Sequence, residues 1–384
     1  MPALPTTIER VDAEWLSQVL GAPVVAFEKR LLEGGVLSDA YRLDDIRYAN
    51  GSARGPRSLI VKLPHREPDR RAMAIGNGAY RKELRFFREL APQVPLRSPA
   101  VYAALCDGSP DVADFALVLE DLASHSRVFD QVEDRPDEAC VRRIALEVAA
   151  LHARFWDAPE TRLPWVADDA QRYVFALDSA CREAPDRLEE LQESWRRTFG
   201  RELLEEGGCA NSERLTRTLL GPANGRILDR IYDRFSRRPR TLLHGDLRAD
   251  NIFRDEASRL TYIDWQLLGA GPPGPEFTQA WIHSLPPELR RKDRDFLRLY
   301  HDRLVSLNPA AASYSYDMLV EDYVLGICMW WAALVSVGAN TAAGFGEPGS
   351  ERMQRLWSQG IAWSLIALED HGCMDVIEAL AEEG

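Results

Sequence analysis

The sequence predicts an α+β chain in which a small β-rich block, residues 1–120, precedes a larger and mainly helical block, residues 121–384. Three observations predict it. Five short segments rich in β-branched and aromatic residues fall before residue 120. Beyond that point apolar residues recur at helical spacing in one segment after another. Strands that come first, with helices after them rather than between them, are the pattern of an α+β protein.

The elements follow in order. Thr6 and Thr7 precede Ile8, and Trp15, Val19 and Leu20 continue at helical spacing, so a threonine-capped helix is expected up to Pro23. Val24–Leu32, Ala40–Tyr48 and Ser58–Leu63 read as three strands with short links, an antiparallel meander. A charged loop, Pro64–Arg71, leads to a helix near Gly78–Leu90 whose inward face carries Tyr80, Leu84 and Phe87. Val101–Leu105 and Phe115–Leu119 complete the five strands, and the break between blocks is expected near Glu120-Asp121-Leu122. Helices are expected over Glu138–Trp156, Asp186–Phe199, Gly225–Ser236 and roughly 276–284, 287–306, 316–337 and 350–370, with a short β region at Leu242–Ile263.

Composition narrows the function classes. Forty-seven basic against sixty acidic residues give a net charge of −13, which argues against an electrostatic grip on nucleic acid or an anionic membrane. None of the six cysteines lies in a C-x-x-C pair, so reduced thiols and a cytoplasmic protein are expected. No secretory signal is expected, and the apolar run Val324–Val337 reads as a buried helix. A monomer or homodimer is expected.

The chemistry concentrates in Leu243-His244-Gly245-Asp246-Leu247-Arg248-Ala249-Asp250-Asn251-Ile252-Phe253, followed by Tyr262-Ile263-Asp264-Trp265-Gln266. Two short strands around the turn Asp255-Glu256-Ala257-Ser258 form a hairpin, which is expected to bring Asn251 and Asp264 together at its open end, near Asp246. Phosphoryl transfer from a nucleotide needs such oxygen-bearing groups. One carboxylate orients the acceptor hydroxyl, while an amide and a second carboxylate hold Mg²⁺. The spacing D-x-x-x-x-N is that of the protein-kinase catalytic loop, with Asp264 at the position of the D-F-G aspartate. Arg248 stands where kinases carry a basic residue that reaches the γ-phosphate.

The first block adds support. Lys62, in Leu59-Ile60-Val61-Lys62-Leu63, is placed like the lysine that holds the α- and β-phosphates, and Glu83 on the following helix is its expected partner, with Glu89 as the alternative. Gly34, Gly35 and Ser38 lie in the link between the first two strands, where backbone N–H groups can approach phosphates.

Together with Leu117-Val118-Leu119-Glu120-Asp121-Leu122 and Leu151-His152-Ala153, the HGDLRADN and IDWQ segments resemble the aminoglycoside phosphotransferase-like superfamily of small-molecule kinases. They are most similar to its ecdysteroid-kinase-like and choline-kinase-like branch. The resemblance runs from about residue 24 to 290. It implies a protein-kinase-like two-lobed fold and transfer of the ATP γ-phosphate, with Mg²⁺, to a hydroxyl of a small molecule. It implies catalytic roles for Asp246 and Arg248, metal ligation by Asn251 and Asp264, and nucleotide contacts from Lys62, Glu83, Gly35, Ser38, Glu120 and Leu122. Trp265, Gln266, Trp281, Trp330 and Trp331 fall where relatives build the acceptor cleft, which suggests a bulky, apolar or aromatic alcohol. A polycationic acceptor would instead call on Glu276, Glu321 and Asp322. Glu276 replaces the aspartate common in relatives, Asp264-Trp265-Gln266 is neither D-F-G nor D-W-E, and His244 and His152 are expected to be structural. A non-catalytic nucleotide-binding module, a protein kinase of the same fold, and a metal hydrolase using His244, Asp246 and Asp264 are the alternatives.

Overall fold

The structure, a computed structural model, describes residues 2–32, 35–49, 55–157, 163, 165–166, 177–206, 212–341 and 351–382. The chain folds into two compact units. One comprises residues 1–128 with 252–267, the other residues 129–251 with 268–384.

Unit one is built on a five-stranded antiparallel sheet of β1 (Val24–Leu32), β2 (Ser38–Tyr48), β3 (Leu59–Pro64), β4 (Val101–Cys106) and β5 (Phe115–Glu120) in the order β1-β2-β3-β5-β4. The first three strands form the expected meander. β3 is thereby flanked on both sides, and Lys62 pairs with Ala40 of β2 and Leu117 of β5. Helix α1 (Ala13–Leu20) contributes Trp15 and Leu16 to a core with Leu43, Ile46, Leu59, Val61 and Val118. Its cap differs from the threonine expected. Asp12 accepts the Trp15 N–H at 2.8 Å, and Ile8–Arg10 form a separate 3₁₀ turn that buries Val11 behind it. The charged loop is shorter than expected, because Pro68 opens helix α2 (Pro68–Gly76), where its missing N–H costs nothing. Helix α3 (Ala79–Arg85) continues into a π turn, Phe86–Leu90.

The hairpin strands Ile252–Asp255 and Leu260–Tyr262 belong to unit one, where the first of them also pairs with β6 (Ser126–Val128). The Tyr262 N–H donates to Arg97 O at 2.8 Å, which ties the hairpin to the segment after α3.

Unit two is helical. Its helices are α4 (Glu138–Arg154), α5 (Leu177–Glu206), α6 (Ser212–Leu220), α7 (Asn224–Ser236), α8 (Glu276–Ile282), α9 (Pro287–Arg290), α10 (Asp293–Leu307), α11 (Tyr316–Thr341), α12 (Glu351–Asp370) and α13 (Cys373–Glu382). α4 starts at Asp137, which accepts the Cys140 N–H, and packs along α10; α5 packs along α11. Short strands Thr241–Leu243 and Gly269–Gly271 pair antiparallel on either side of the catalytic-loop sequence. α11 contains a 21-residue stretch, Tyr316–Ser336, long and apolar enough to cross a membrane, and 72% of its apolar window is buried against the rest of the structure.

Two glycines let α8 dock on α11. A Cβ at Gly274 would stand 2.6 Å from Asp322 Cβ and 2.7 Å from Tyr323 N, and one at Gly326 would stand 2.5 Å from Thr278 Oγ1. Because Gly274 meets backbone, Gly274→Ala forces the two elements apart. It should lower stability by about 1–3 kcal/mol, the usual cost of overpacking, read as a lower urea midpoint with an unchanged slope.

Candidate active site

In unit one a buried cation organises the site. Lys62 Nζ donates to Glu83 Oε1 at 2.7 Å and to Asp264 Oδ1 at 2.8 Å. Burial alone would lower the Lys62 pKa, but the carboxylates of Asp264 and Glu83 outweigh it and raise it, so the ammonium stays charged. Burial pushes the Glu83 carboxyl up, to about 7, against the pull of Lys62. Glu89 is bound to Arg85 at 2.7 Å, which leaves Glu83 as the helix partner. Asp264 adopts the left-handed region, φ 66°, a conformation that costs a non-glycine residue energy and tends to persist at functional sites. Gln266 Nε2 holds its other oxygen, Oδ2, at 3.0 Å.

The segment around Asp264 and the helix of Glu83 are joined by one contact. Trp265 stacks on Phe86 with ring centres 4.0 Å apart and 9° between planes, and its Nε1 donates to Tyr262 O at 3.2 Å. Phe86 lies three residues after Glu83 and Trp265 one after Asp264, so the stack sets both carboxylates around Lys62.

The link before β2 is also fixed. Tyr80 Oη donates to Leu37 O and accepts the His65 N–H. A Cβ at Gly35 would come within 2.3 Å of Ser38 O, so this turn closes only with glycine there, and Ser38 is buried. Gly34 lies outside the described residues. Glu120 accepts the Ala100 N–H, while Leu122 is buried in a 3₁₀ turn capped by Asp121, itself ion-paired to Arg42 at 2.6 Å.

In unit two the catalytic-loop sequence is held by a carboxylate. Glu276, at the start of α8, accepts the N–H groups of His244 (3.1 Å) and Gly245 (2.9 Å), and its Oε2 lies 3.4 Å from His152 Nε2. His152 is fixed in turn by Tyr300 Oη at 2.8 Å. Gly245 turns the chain with φ 84°, a conformation cheap only for glycine. His244 Nδ1 accepts the Asp246 N–H at 3.3 Å. Both histidines are buried braces. Asn251 Nδ2 donates to Asp246 O and to Asp246 Oδ2, each at 2.9 Å. Two acceptors facing one end of the amide fix its orientation, so Oδ1 is the end left to face a cation. Arg248 Nε lies 3.5 Å from Asp246 Oδ1.

The aromatic residues divide. Trp265, Trp281 and Trp331 are 0–2% exposed. Trp281 sits among Phe277, Phe296 and Tyr323, and Trp331 donates to Thr216. Core packing accounts for all three, and none offers a ring face to a ligand. Gln266 is buried on Asp264, and only Trp330 is partly exposed. The acidic residues suited to a polycation are committed: Glu276 to the loop, Glu321 to Arg234 and Arg238, and Asp322 to Arg238 and Tyr314.

Two supports had no signal in the linear pattern. Asp250 Oδ1 accepts the Gln131 N–H at 2.8 Å, and Ser284 Oγ accepts the Ala249 N–H at 3.0 Å. Their partners are 119 and 35 residues away, beyond the reach of any spacing argument.

The profile of the phosphotransferase enzyme family matches residues 30–311, well over half the chain. The chain belongs to that family. It is a phosphotransferase, in keeping with the resemblance carried by HGDLRADN and IDWQ. Among solved structures, choline kinase from Cryptosporidium parvum Iowa II is 12% identical at a TM-score of 0.50, over 92% of this chain and 93% of its own. A putative aminoglycoside phosphotransferase from Ralstonia eutropha JMP134 is 12% identical at 0.47, over 92% and 96%. Choline kinase LicA from Streptococcus pneumoniae is 17% identical at 0.46, over 92% and 99%. The fold is the protein-kinase-like α+β fold of this family. No curated protein matches the sequence.

In this phosphotransferase the Glu276 carboxylate is the acceptor for two loop N–H groups. Glu276→Gln turns one acceptor into a donor that faces a donor. It should destabilise the fold by about 1–3 kcal/mol, read by thermal melting, and lower turnover along with it.

Proposed function

We propose that the phosphotransferase is an ATP- and Mg²⁺-dependent small-molecule kinase that moves the γ-phosphoryl group to a hydroxyl. The observation that carries the reading is the buried Lys62 ammonium shared by Glu83 and by an Asp264 held in a left-handed conformation. A charge trio of this kind is costly to bury, and phosphate handling gives it a use. Lys62, kept in place by Glu83, binds the α- and β-phosphates. Gly35 and Ser38 border the nucleotide, and Glu120 and Leu122 receive its base.

The residues present fit Mg²⁺. Asn251 offers Oδ1 and Asp264 its carboxylate, the hard oxygen donors this cation takes, with phosphates and water completing its shell. Bound Mg²⁺ supplies charge neutralisation on the phosphates. Asp246, restrained by Asn251, orients the acceptor hydroxyl and takes its proton as the oxygen bonds to the γ-phosphorus and the bond to the β-phosphate oxygen breaks. Arg248 steadies the transferring group. The acceptor is a bulky alcohol with an apolar or aromatic part resting on Trp330. The enzyme works in the cytoplasm, where ATP is at hand.

Two substitutions test the division of labour. Asp246→Asn keeps the shape and removes the proton acceptor, so kcat should fall by ~10²–10⁴-fold. ATP affinity should change by less than about tenfold, ~1.4 kcal/mol. Unchanged turnover would remove Asp246 from the mechanism. Asp264→Asn should show the converse in calorimetric titration, with Mg²⁺-dependent nucleotide binding lost; tight Mg²⁺–ATP binding by this variant would refute the metal assignment.

A further inference from the structure

His283 follows the last turn of α8, and Ser284 next to it accepts the Ala249 N–H. The dipeptide His283-Ser284 is therefore fastened to the loop that carries Asp246 and Arg248. The imidazole is held from the other side by α11 and α12. Trp330 Nε1 donates to His283 Nε2 at 2.7 Å, and Ser364 Oγ lies 3.4 Å from the same nitrogen. An indole N–H only donates, so Nε2 is the acceptor and the ring proton sits on Nδ1. No hydrogen bond among the described residues occupies that Nδ1–H. The ring lies over Gly360, where a Cβ would stand 2.9, 3.1 and 3.3 Å from Cε1, Nδ1 and Nε2. Glycine inside a helix costs ~1 kcal/mol relative to alanine, and room for this ring is the physical reason for it in α12. Desolvation, with the Arg248 guanidinium nearby, lowers the imidazole pKa to about 3, so the ring is neutral near pH 7.

Among the described residues, the charged groups of this region other than Asp246 are cationic or committed. Arg135 lies over the Trp363 ring at 5.0 Å and donates to Gln359. Asp250 is bound to the Gln131 N–H and paired with Arg352, and Glu276 is spent on the loop backbone. A locked, neutral donor suits an oxygen atom and offers nothing to an ammonium group.

We propose that His283 reads the acceptor: its Nδ1–H donates to a second oxygen of the substrate, beside the hydroxyl that Asp246 orients. The acceptor class is then an uncharged or anionic alcohol with a neighbouring hydroxyl, carbonyl or carboxylate oxygen, and not an ammonium alcohol. The inference rests on the kinase reading above and adds its substrate class. A site with a buried donor penalises analogues that leave it unpaired.

The test measures ADP release with vicinal diols and 2-hydroxy acids, with mono-alcohols of the same carbon frame, and with choline and an aminoglycoside. The wild type should favour the oxygen-bearing set over matched mono-alcohols by about tenfold or more in kcat/KM. His283→Leu should collapse that ratio, chiefly through KM, and His283→Asn, whose amide N–H can replace Nδ1–H, should restore most of it. Gly360→Ala, which displaces the ring and leaves the histidine in place, should mimic His283→Leu even if the latter folds poorly. A wild-type ratio retained in both His283→Leu and Gly360→Ala overturns the role of His283 alone. A preference for choline or the aminoglycoside overturns the substrate class. ADP release with no alcohol of any kind, in wild type and Asp246→Asn alike, overturns the kinase reading and this inference with it.

Discussion

A buried ammonium shared by two carboxylates is the constraint on which unit one depends. Lys62, Glu83 and Asp264 come from a central strand, a helix and the end of a hairpin; Lys62 and Glu83 are buried and Asp264 is partly so. Removing one partner would leave an uncompensated buried charge, a loss usually worth several kcal/mol. The three elements must therefore hold their relative positions closely. Apolar contacts do that holding: the Phe86–Trp265 stack fastens hairpin to helix, and β2 and β5 flank β3 on both sides. The tryptophan after Asp264 serves the charge cluster by packing, not by touching a ligand.

Unit two solves a related problem with backbone. The loop that carries Asp246 cannot rely on regular structure for its own N–H groups. Glu276 takes two of them, Ser284 a third, and Asn251 returns two bonds to Asp246. His152 and Tyr300 then anchor Glu276 inside the helical core. Preorganisation of this kind would serve the role proposed for Asp246, since the loop would need no reordering first. The Glu276 side chain spans the distance to the loop backbone.

How much of this was legible in the sequence varies with the range of the interaction. The five strands and most helices after residue 121 show in the period of apolar residues, because burial of one face leaves a periodic mark, whereas Ser212–Leu220 and Cys373–Glu382 were not expected. Lys62, Glu83, Asp246, Asn251 and Asp264 stand out because the proposed phosphoryl transfer calls for those residue types in that order, and the structure joins Lys62 to Glu83 and Asp264, and Asn251 to Asp246. The cap at Asp12 and the helix at Pro68 were misread, since a threonine pair and a charged run carry the same local signals as the elements they replaced. The tryptophans were the weakest signal. Nothing in a linear pattern separates a tryptophan that fills the core, such as Trp281, from one that reaches solvent, such as Trp330.

By itself the sequence determined the fold class and the family, and it singled out the residues proposed to hold phosphate, metal and a proton, because each is written in local period or in short spacing. Tertiary structure alone decided that Asp264 is left-handed and that Glu276 is spent on the loop. It also decided that the hairpin packs with the sheet unit and that His283 sits over Gly360 with its proton on Nδ1. Each of these depends on which side chains meet across dozens to hundreds of residues. Such meetings follow from packing and hydrogen-bond satisfaction in three dimensions, and leave no period in the chain.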